Sequence, residues 1–291
     1  MYKNGKPNYN EIIFSEDQIS DIITSYKSGE SSVSIGRRYN TTHKPILKVI
    51  HKHNVVVDVS QSHRKYNLNE TFFDVIDTQE KAYILGLLYA DGNNSPSKST
   101  ISISLQEEDK ELLEAIRKTI NSEKELEYLD YSQKDDFGYS YKNQYRLLMF
   151  SKHMCDSLSS LGVVQNKSLI TSFPTFLSEN FIPHFVRGVF DGDGSICQGY
   201  RNDNNKPILV TITATNDFCM TLKDIIQKTL HINCGIYDAS CHNGITKVLS
   251  ISGRNVCRTF LDWIYADATI YLQRKYDRYH SYYNINNSLI A

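Results

Sequence analysis

Two aspartates, Asp91 and Asp193, each close a run of apolar and small residues, and each is followed by glycine. The runs are Ala82-Tyr83-Ile84-Leu85-Gly86-Leu87-Leu88-Tyr89-Ala90-Asp91-Gly92 and His184-Phe185-Val186-Arg187-Gly188-Val189-Phe190-Asp191-Gly192-Asp193-Gly194. Aligned on Gly86 and Gly188, they lie 102 residues apart. Gly86 and Ala90, like Gly188 and Gly192, are four residues apart, so on a helix each pair shares one face with almost no side chain. Two such faces allow backbone-to-backbone approach. In parallel packing, Asp91 and Asp193 meet at one end, the negative pole of both helix dipoles. Carboxylates there repel unless a cation joins them, and hard oxygen donors suit Mg²⁺ or Mn²⁺. The glycine after each aspartate fits a left-handed helix cap. One helix ending in Asp-Gly means little; two in register mark a site.

The elements that must hold this pair repeat with it. After each run comes a strand-like alternation, Thr100–Leu105 and Val210–Thr215, then an amphipathic helix with an acidic start at Asp109 and Asp217. Two more strand candidates follow in each copy, Leu126–Tyr131 with Gln144–Ser151 and Gly235–Ala239 with Thr246–Ser252, before a closing helix. The pattern is an αββαββα unit present twice, an α+β body preceded by a small all-α segment.

That segment has its own signals. Ser15 and Gln18 are spaced for a capping box, with Phe14 placed to staple onto Ile19, and the stripe Ile19, Ile22, Ile23, Tyr26 follows before Gly29 stops the helix. Helices over Ser32–Tyr39 and from about His43 to His53 flank a turn at Asn40. Gly36, Asn40 and Ile46 supply a small crossing residue, a turn residue and a core residue; Ile35, Tyr39 and Val49 complete the core, and Pro45 falls in a first turn. This resembles the helix-turn-helix of invertase-type and sigma-type DNA-binding modules, with His43, Lys44, Lys48 and Lys52 turned to phosphates and base edges. Residues 1–65 carry 10 Lys and Arg against 6 Asp and Glu, the rest 22 against 27, so a basic head precedes a mildly acidic body.

Composition excludes several classes. Apolar residues make up 40% and charged residues 22%, with Gly and Pro only 20 of 291, which argues against a disordered or fibrous chain. No apolar run reaches the ~20 residues of a membrane span, and the start Met1–Lys6 carries no signal region, so an intracellular, cytoplasmic protein is expected. The six cysteines form no CxxC pair and read as reduced thiols. His231, Cys234, Cys241 and His242 match no common zinc spacing.

The nonamers Ile84–Gly92 and Val186–Gly194 resemble the LAGLIDADG motif, and residues 71–285 resemble a double-motif, monomeric LAGLIDADG homing endonuclease. The resemblance divides the chain into a helix-turn-helix domain (1–58), a linker (59–70) and two repeats (71–178 and 179–291). It implies a saddle of two four-stranded antiparallel sheets on a DNA major groove. It also implies double-strand cleavage with short 3′ overhangs, using metal held by Asp91 and Asp193 and by the Ala90 and Gly192 carbonyls. A basic residue near each scissile phosphate matches Lys167 and Lys275, and a family glutamine matches Gln106 without a counterpart at Ala214 or Thr215. Tyr89 departs from the motif's first acid, while Asp191, which keeps it, reads as a helix-end surface residue. Base reading is expected from Ser102, Ser104, Gln106, Thr211, Thr213 and Thr215 on polar strand faces, with charged help from Arg146, Arg201 and Lys247. A non-cleaving DNA-binding regulator and an RNA maturase assisting intron splicing are the alternatives. Surviving metal acids argue against the first, and the missing terminal His-Asn argues against an intein.

Overall fold

The computed structural model describes residues 2–3, 6–7, 12–56, 66–132, 135–136, 139–165, 169–198, 207–239 and 246–283. The head is three helices, α1 (Glu16–Lys27), α2 (Ser32–Arg38) and α3 (His43–Lys52). The capping box forms, with Ser15 Oγ accepting from Gln18 N and Gln18 Oε1 from Ser15 N. Gly29 takes φ 101° and Asn40 φ 51°, the left-handed positions that end α1 and turn α2 into α3. At Gly36 a Cβ would meet the Thr42 carbonyl at 3.0 Å, so the α2–α3 crossing is tight enough to favour a small residue. Ile22, Tyr26, Ile35, Ile46 and Ile50 form a separate small core, and Phe14 packs edge-on against Tyr39, its centroid 5.6 Å away. Most of the expected linker lies outside the described residues. Its end packs on the body: Leu68 is buried there, and Asn67 N bonds Glu123 Oε2.

The body repeats one unit. The first copy runs α4 (Gln79–Ala90), β1 (Gly92–Ser95), β2 (Thr100–Gln106), α5 (Lys110–Thr119), β3 (Glu127–Leu129), β4 (Gln144–Phe150) and α6 (Lys152–Ser160). The second runs α7 (Ile182–Asp193), β5 (Gly194–Gln198), β6 (Ile208–Thr215), α8 (Asn216–Leu230), β7 (Gly235–Asp238), β8 (Thr246–Ser252) and α9 (Arg254–Tyr265), followed by α10 (Gln273–Tyr283). Each copy builds a four-stranded antiparallel sheet, ordered β1-β2-β4-β3 and β5-β6-β8-β7. The strands alternate as expected. Ile101, Ile103 and Leu105, and Val210 and Ile212, are buried, while Ser102, Ser104, Thr211 and Thr213 are half-buried on the opposite face. One apolar core runs through both copies.

The aspartate-glycine corners differ from the expected cap. Neither Gly92 nor Gly194 is left-handed; each begins a strand, Gly194 at φ −92° and ψ 161°. Their necessity is steric. A Cβ on Gly92 would fall under 3.0 Å from the Leu88 backbone, and one on Gly194 would do the same at Phe190, because the chain folds back directly over its helix.

At the centre, α4 and α7 pack through the small residues. A Cβ at Gly86 would come under 3.0 Å from the Phe185 carbonyl oxygen, and one at Gly188 under 3.0 Å from the Tyr83 oxygen and Leu87 nitrogen. At Gly192 it would collide with the Ala90 Cβ and stand 3.0 Å from Asp91 Oδ2. Contacts advance together along both helices, so they run parallel. Because these obstacles are mostly backbone, Gly86→Ala or Gly188→Ala should cost about 3 kcal/mol or more, the upper end for overpacking, measured by urea unfolding. A loss below about 1 kcal/mol would contradict the close approach.

Candidate active site

The parallel packing brings the two motif carboxylates to one end. Asp91 caps α4, Asp193 ends α7, and both are exposed. Asp91 lies against the Gly192 backbone, one residue from Asp193. Ala90 and Gly192, expected to offer carbonyls, are the last small contacts of the two helices. A cavity of about 190 Å³ opens beside Asp193, lined by Tyr89, Ala90 and the threonines Thr171, Thr213, Thr215 and Thr246. Among the described residues, no group of three or more His, Cys, Asp or Glu side chains is arranged for a metal. The donors present are two hard carboxylates and helix-end carbonyls. That set fits Mg²⁺, which keeps several waters and binds through one or two carboxylates plus substrate phosphate.

Asp191 corrects the surface reading. It is 2% exposed, and its carboxylate accepts from Tyr83 Oη (2.8 Å), Tyr265 Oη (3.1 Å) and Leu272 N (2.8 Å). Burial pushes its pKa up to about 6, opposed by the Leu272 N–H, the Lys275 charge and the tyrosine hydroxyls. One turn earlier, fully buried Arg187 donates to the Ile270 (3.0 Å) and Ile264 (2.7 Å) carbonyls and stands 2.8 Å from His184 Nδ1. Its guanidinium lies 5.2 Å from the Tyr83 ring centroid. Arg187 was not singled out from the sequence; a charge inside a nonamer that reads as a buried helix was the available signal.

Of the two expected basic residues, only Lys275 lies among the described residues, and it falls differently from expectation. Lys167 lies outside the described residues. Lys275 is 6% exposed, and its ammonium donates to the Phe190, Asp191 and Gly194 carbonyls at 2.6, 2.8 and 2.6 Å. Burial brings its pKa down to about 8, against the nearby aspartates. In the first copy, Tyr89 stands where the second has Asp191, and its hydroxyl donates to the Leu161 carbonyl. Asn94, buried, donates to the Cys155 (3.0 Å) and Val163 (2.8 Å) carbonyls. Each motif helix is thus latched to the segment after its repeat's last helix, by different chemistry.

The polar sheet faces are real but partly committed. Ser104 opposes Arg146, whose guanidinium binds Glu127 at 2.6 Å. Gln106 accepts from Lys142 at 3.0 Å. Thr211 lies between Ser195 and Ser250, and Thr213 opposite Val248. Two expectations are corrected. Thr215 is buried as the cap of α8, accepting from Phe218 N and donating to the Thr171 carbonyl at 2.5 Å, which removes it from the exposed face. Lys247 shares the register of buried Leu249 and Ile251 and pairs with Asp238, so it stands at the core-side edge of its sheet. Arg201 lies outside the described residues. Ser195, Ser250 and Asn93 join the polar faces and were not singled out; the alternation of Ser250 and Ser252 with Leu249 and Ile251 was the available signal. In the head, Lys44, Lys48 and Lys52 are exposed and His43 is half-buried, while exposed His51 extends the same helix.

No family model matches the chain, and no curated protein matches it. Solved structures that overlap it include the I-LtrWI LAGLIDADG homing endonuclease bound to target DNA, at 11% identity and TM-score 0.48 over 76% of this chain and 92% of that one. The homing endonuclease I-WcaI bound to its DNA recognition sequence overlaps at 13% identity and TM-score 0.49, over 71% and 90%. The N-terminal LAGLIDADG domain of DUF199/WhiA overlaps at 17% identity and TM-score 0.40, over 67% and 88%. These scores are too low to carry residue roles across, and those are read from this chain's own geometry.

His184 and Asp191 oppose each other with pH. Burial, then the Arg187 charge, lowers the His184 pKa from 6.5 to about 4. The folded state therefore resists the proton that the unfolded chain accepts. The His184 contribution is present above 6.5 and lost as pH falls towards 4. Asp191, with its pKa raised from 3.8, contributes most below 3.8 and loses that contribution as pH rises through about 6. His184→Gln, which can still accept from Arg187, should remove only the first effect and make the variant relatively more stable on acidification. Urea unfolding at several pH values between 4 and 7 checks this; an unchanged difference from wild type across that range would refute it.

Proposed function

We propose that this chain is a site-specific double-strand DNA endonuclease of the homing type, dependent on a divalent metal and acting as a monomer. The observation that carries the reading is the parallel α4–α7 pair, which sets Asp91 and Asp193 side by side at one negative helix end between two matching sheets. A merely structural role gives no reason to gather two exposed carboxylates at that pole.

In this reading Asp91 and Asp193 hold Mg²⁺ or Mn²⁺, with help from the Ala90 and Gly192 carbonyls. Held there, a divalent ion would supply Lewis acidity for activating water and for stabilising the leaving oxygen of the cut phosphodiester. The chain's own part is positioning. Glycine contacts fix the carboxylate pair, and the latches hold the ends of the motif helices. The half-buried Ser102, Ser104 and Gln106, and the half-buried Thr211 and Thr213 beside exposed Ser195, present hydroxyls and amides to base edges. Arg146 adds a guanidinium that DNA would share with, or take from, its Glu127 partner. The head reads as a helix-turn-helix in which α3 offers Lys44, Lys48 and Lys52 to phosphates.

Cleavage of a library of genomic flank sequences, with Mg²⁺ and with EDTA and with all ends sequenced, tests the reading. The expected result is metal-dependent cutting at one long site with short 3′ overhangs. Selective binding without cuts in any divalent metal would indicate a regulator instead, and selectivity for RNA over DNA a maturase. Asp91→Asn and Asp193→Asn should each abolish cutting while duplex binding persists, as gel shift in Ca²⁺ would report; a variant that still cuts at the wild-type rate refutes the site. Lys44→Ala and Lys48→Ala should each weaken binding evenly across sequences and lower the salt slope by about 1. Unchanged slopes would take the head off the DNA.

A further inference from the structure

The residue expected to touch a phosphate in the second repeat does something else. An ammonium has three protons to donate. Those of Lys275 go to the Phe190, Asp191 and Gly194 carbonyls, at 2.6, 2.8 and 2.6 Å. The first two belong to the last turn of α7, the Phe190 carbonyl also accepting from the cap Gly194 N–H, and the third to the strand that leaves it. The side chain reaches them while 6% exposed, its ammonium 5.1 Å from the Phe190 ring centroid. Its backbone is held as firmly. Lys275 N donates to the Leu272 carbonyl at 3.0 Å, and Leu272 N donates to Asp191 Oδ2 at 2.8 Å. The neighbouring Arg274 bonds both Asp109 carboxylate oxygens in the first repeat at 3.1 Å. Burial and the Arg274 charge disfavour the Lys275 ammonium, while Asp191 and, less strongly, Asp91 and Asp193 favour it.

We propose that Lys275 is a positioning residue that closes the end of the second motif helix and serves as the resident counter-charge to Asp91 and Asp193, and that it does not contact a scissile phosphate. A buried lysine at a helix C-terminus supplies positive charge where the dipole is negative. The carboxylate pair is thereby tolerated in the absence of metal, and the chain folds with its site assembled. The importance of this clamp rests on the nuclease reading, but its existence does not, and it is tested without DNA or metal.

Acylation of wild-type lysines by an N-hydroxysuccinimide acetate ester in EDTA, read by mass spectrometry, addresses the geometry. Lys275 should react at least about tenfold more slowly than exposed Lys44 and Lys152, because modification requires local opening. Reaction at their rate would overturn the proposal. A thermal double-mutant cycle in EDTA addresses the charge. Lys275→Met should lower Tm by several degrees. Asp193→Asn should leave wild type unchanged or less stable yet raise Tm in the Lys275→Met background, where it relieves repulsion. Additive shifts would overturn the counter-charge. If Lys275→Met does not fold, the same charge logic requires Lys275→Met/Asp193→Asn to recover folded protein, and failure of both leaves the labelling result to decide. Loss of cutting with the clamp intact would overturn the nuclease reading and leave this one standing.

Discussion

The close approach of α4 and α7 is the constraint on which the rest of the body depends. Gly86, Gly188 and Gly192 leave no room for a Cβ, so the helices touch backbone to backbone and cannot slide without collision. That contact fixes three properties together: the helices are parallel, their C-termini share one end, and Asp91 and Asp193 occupy it. It also orients the two sheets, because β1 and β5 start directly from the ends of these helices. The glycines after the aspartates serve the same compactness, by steric clearance over Leu88 and Phe190 and not by left-handed backbone.

Such a junction costs electrostatic energy, and the surrounding polar groups offset it. Uncompensated burial of Asp191 and Arg187 would be costly. Asp191 receives three donors, and Arg187 finds two carbonyls, a histidine and a tyrosine face. Apart from His184, which lies in α7 itself, these groups tie α7 to the 264–275 segment or to α4. The first repeat achieves the same attachment with Tyr89 and Asn94. The two halves share a backbone plan while their buried polar chemistry has diverged, which is why the motif's first acid is present in one copy and absent from the other.

The sheet faces add a second electrostatic theme. The body is mildly acidic, and the cations at the sheets are paired: Arg146 with Glu127, Lys142 with Glu108 and Lys247 with Asp238. DNA bound on the polar faces would compete with Glu127 and Glu108 for Arg146 and Lys142, so the hydroxyl rows are better suited to reading bases than to gathering phosphate. Phosphate attraction falls more naturally to the head, where Lys44, Lys48 and Lys52 are exposed. Arg38 is paired there with Asp21 and Glu30 at 3.0 and 3.2 Å.

Local physics made much of this molecule legible in its sequence. The capping box at Ser15 and Gln18, the turn at Asn40, the αββαββα repeat and the small faces at Gly86 and Gly188 each depend on residues a few positions apart, and each stands where expected. The opening strand β1 was less legible, because Gly-Asn-Asn-Ser-Pro reads as a turn until a neighbouring strand pairs with it. Tertiary structure alone decided the long-range polar partners. Nothing near Asp191 in the chain announces Tyr83, Tyr265 and Leu272, at separations of 108, 74 and 81 residues. Nothing near Lys275 shows that its protons will be spent on carbonyls some 80 residues away. Spacing along a chain determines which residues share a face, because backbone geometry is periodic. Which charge meets which carbonyl depends on how the finished faces are brought together, and that information resides in the packing.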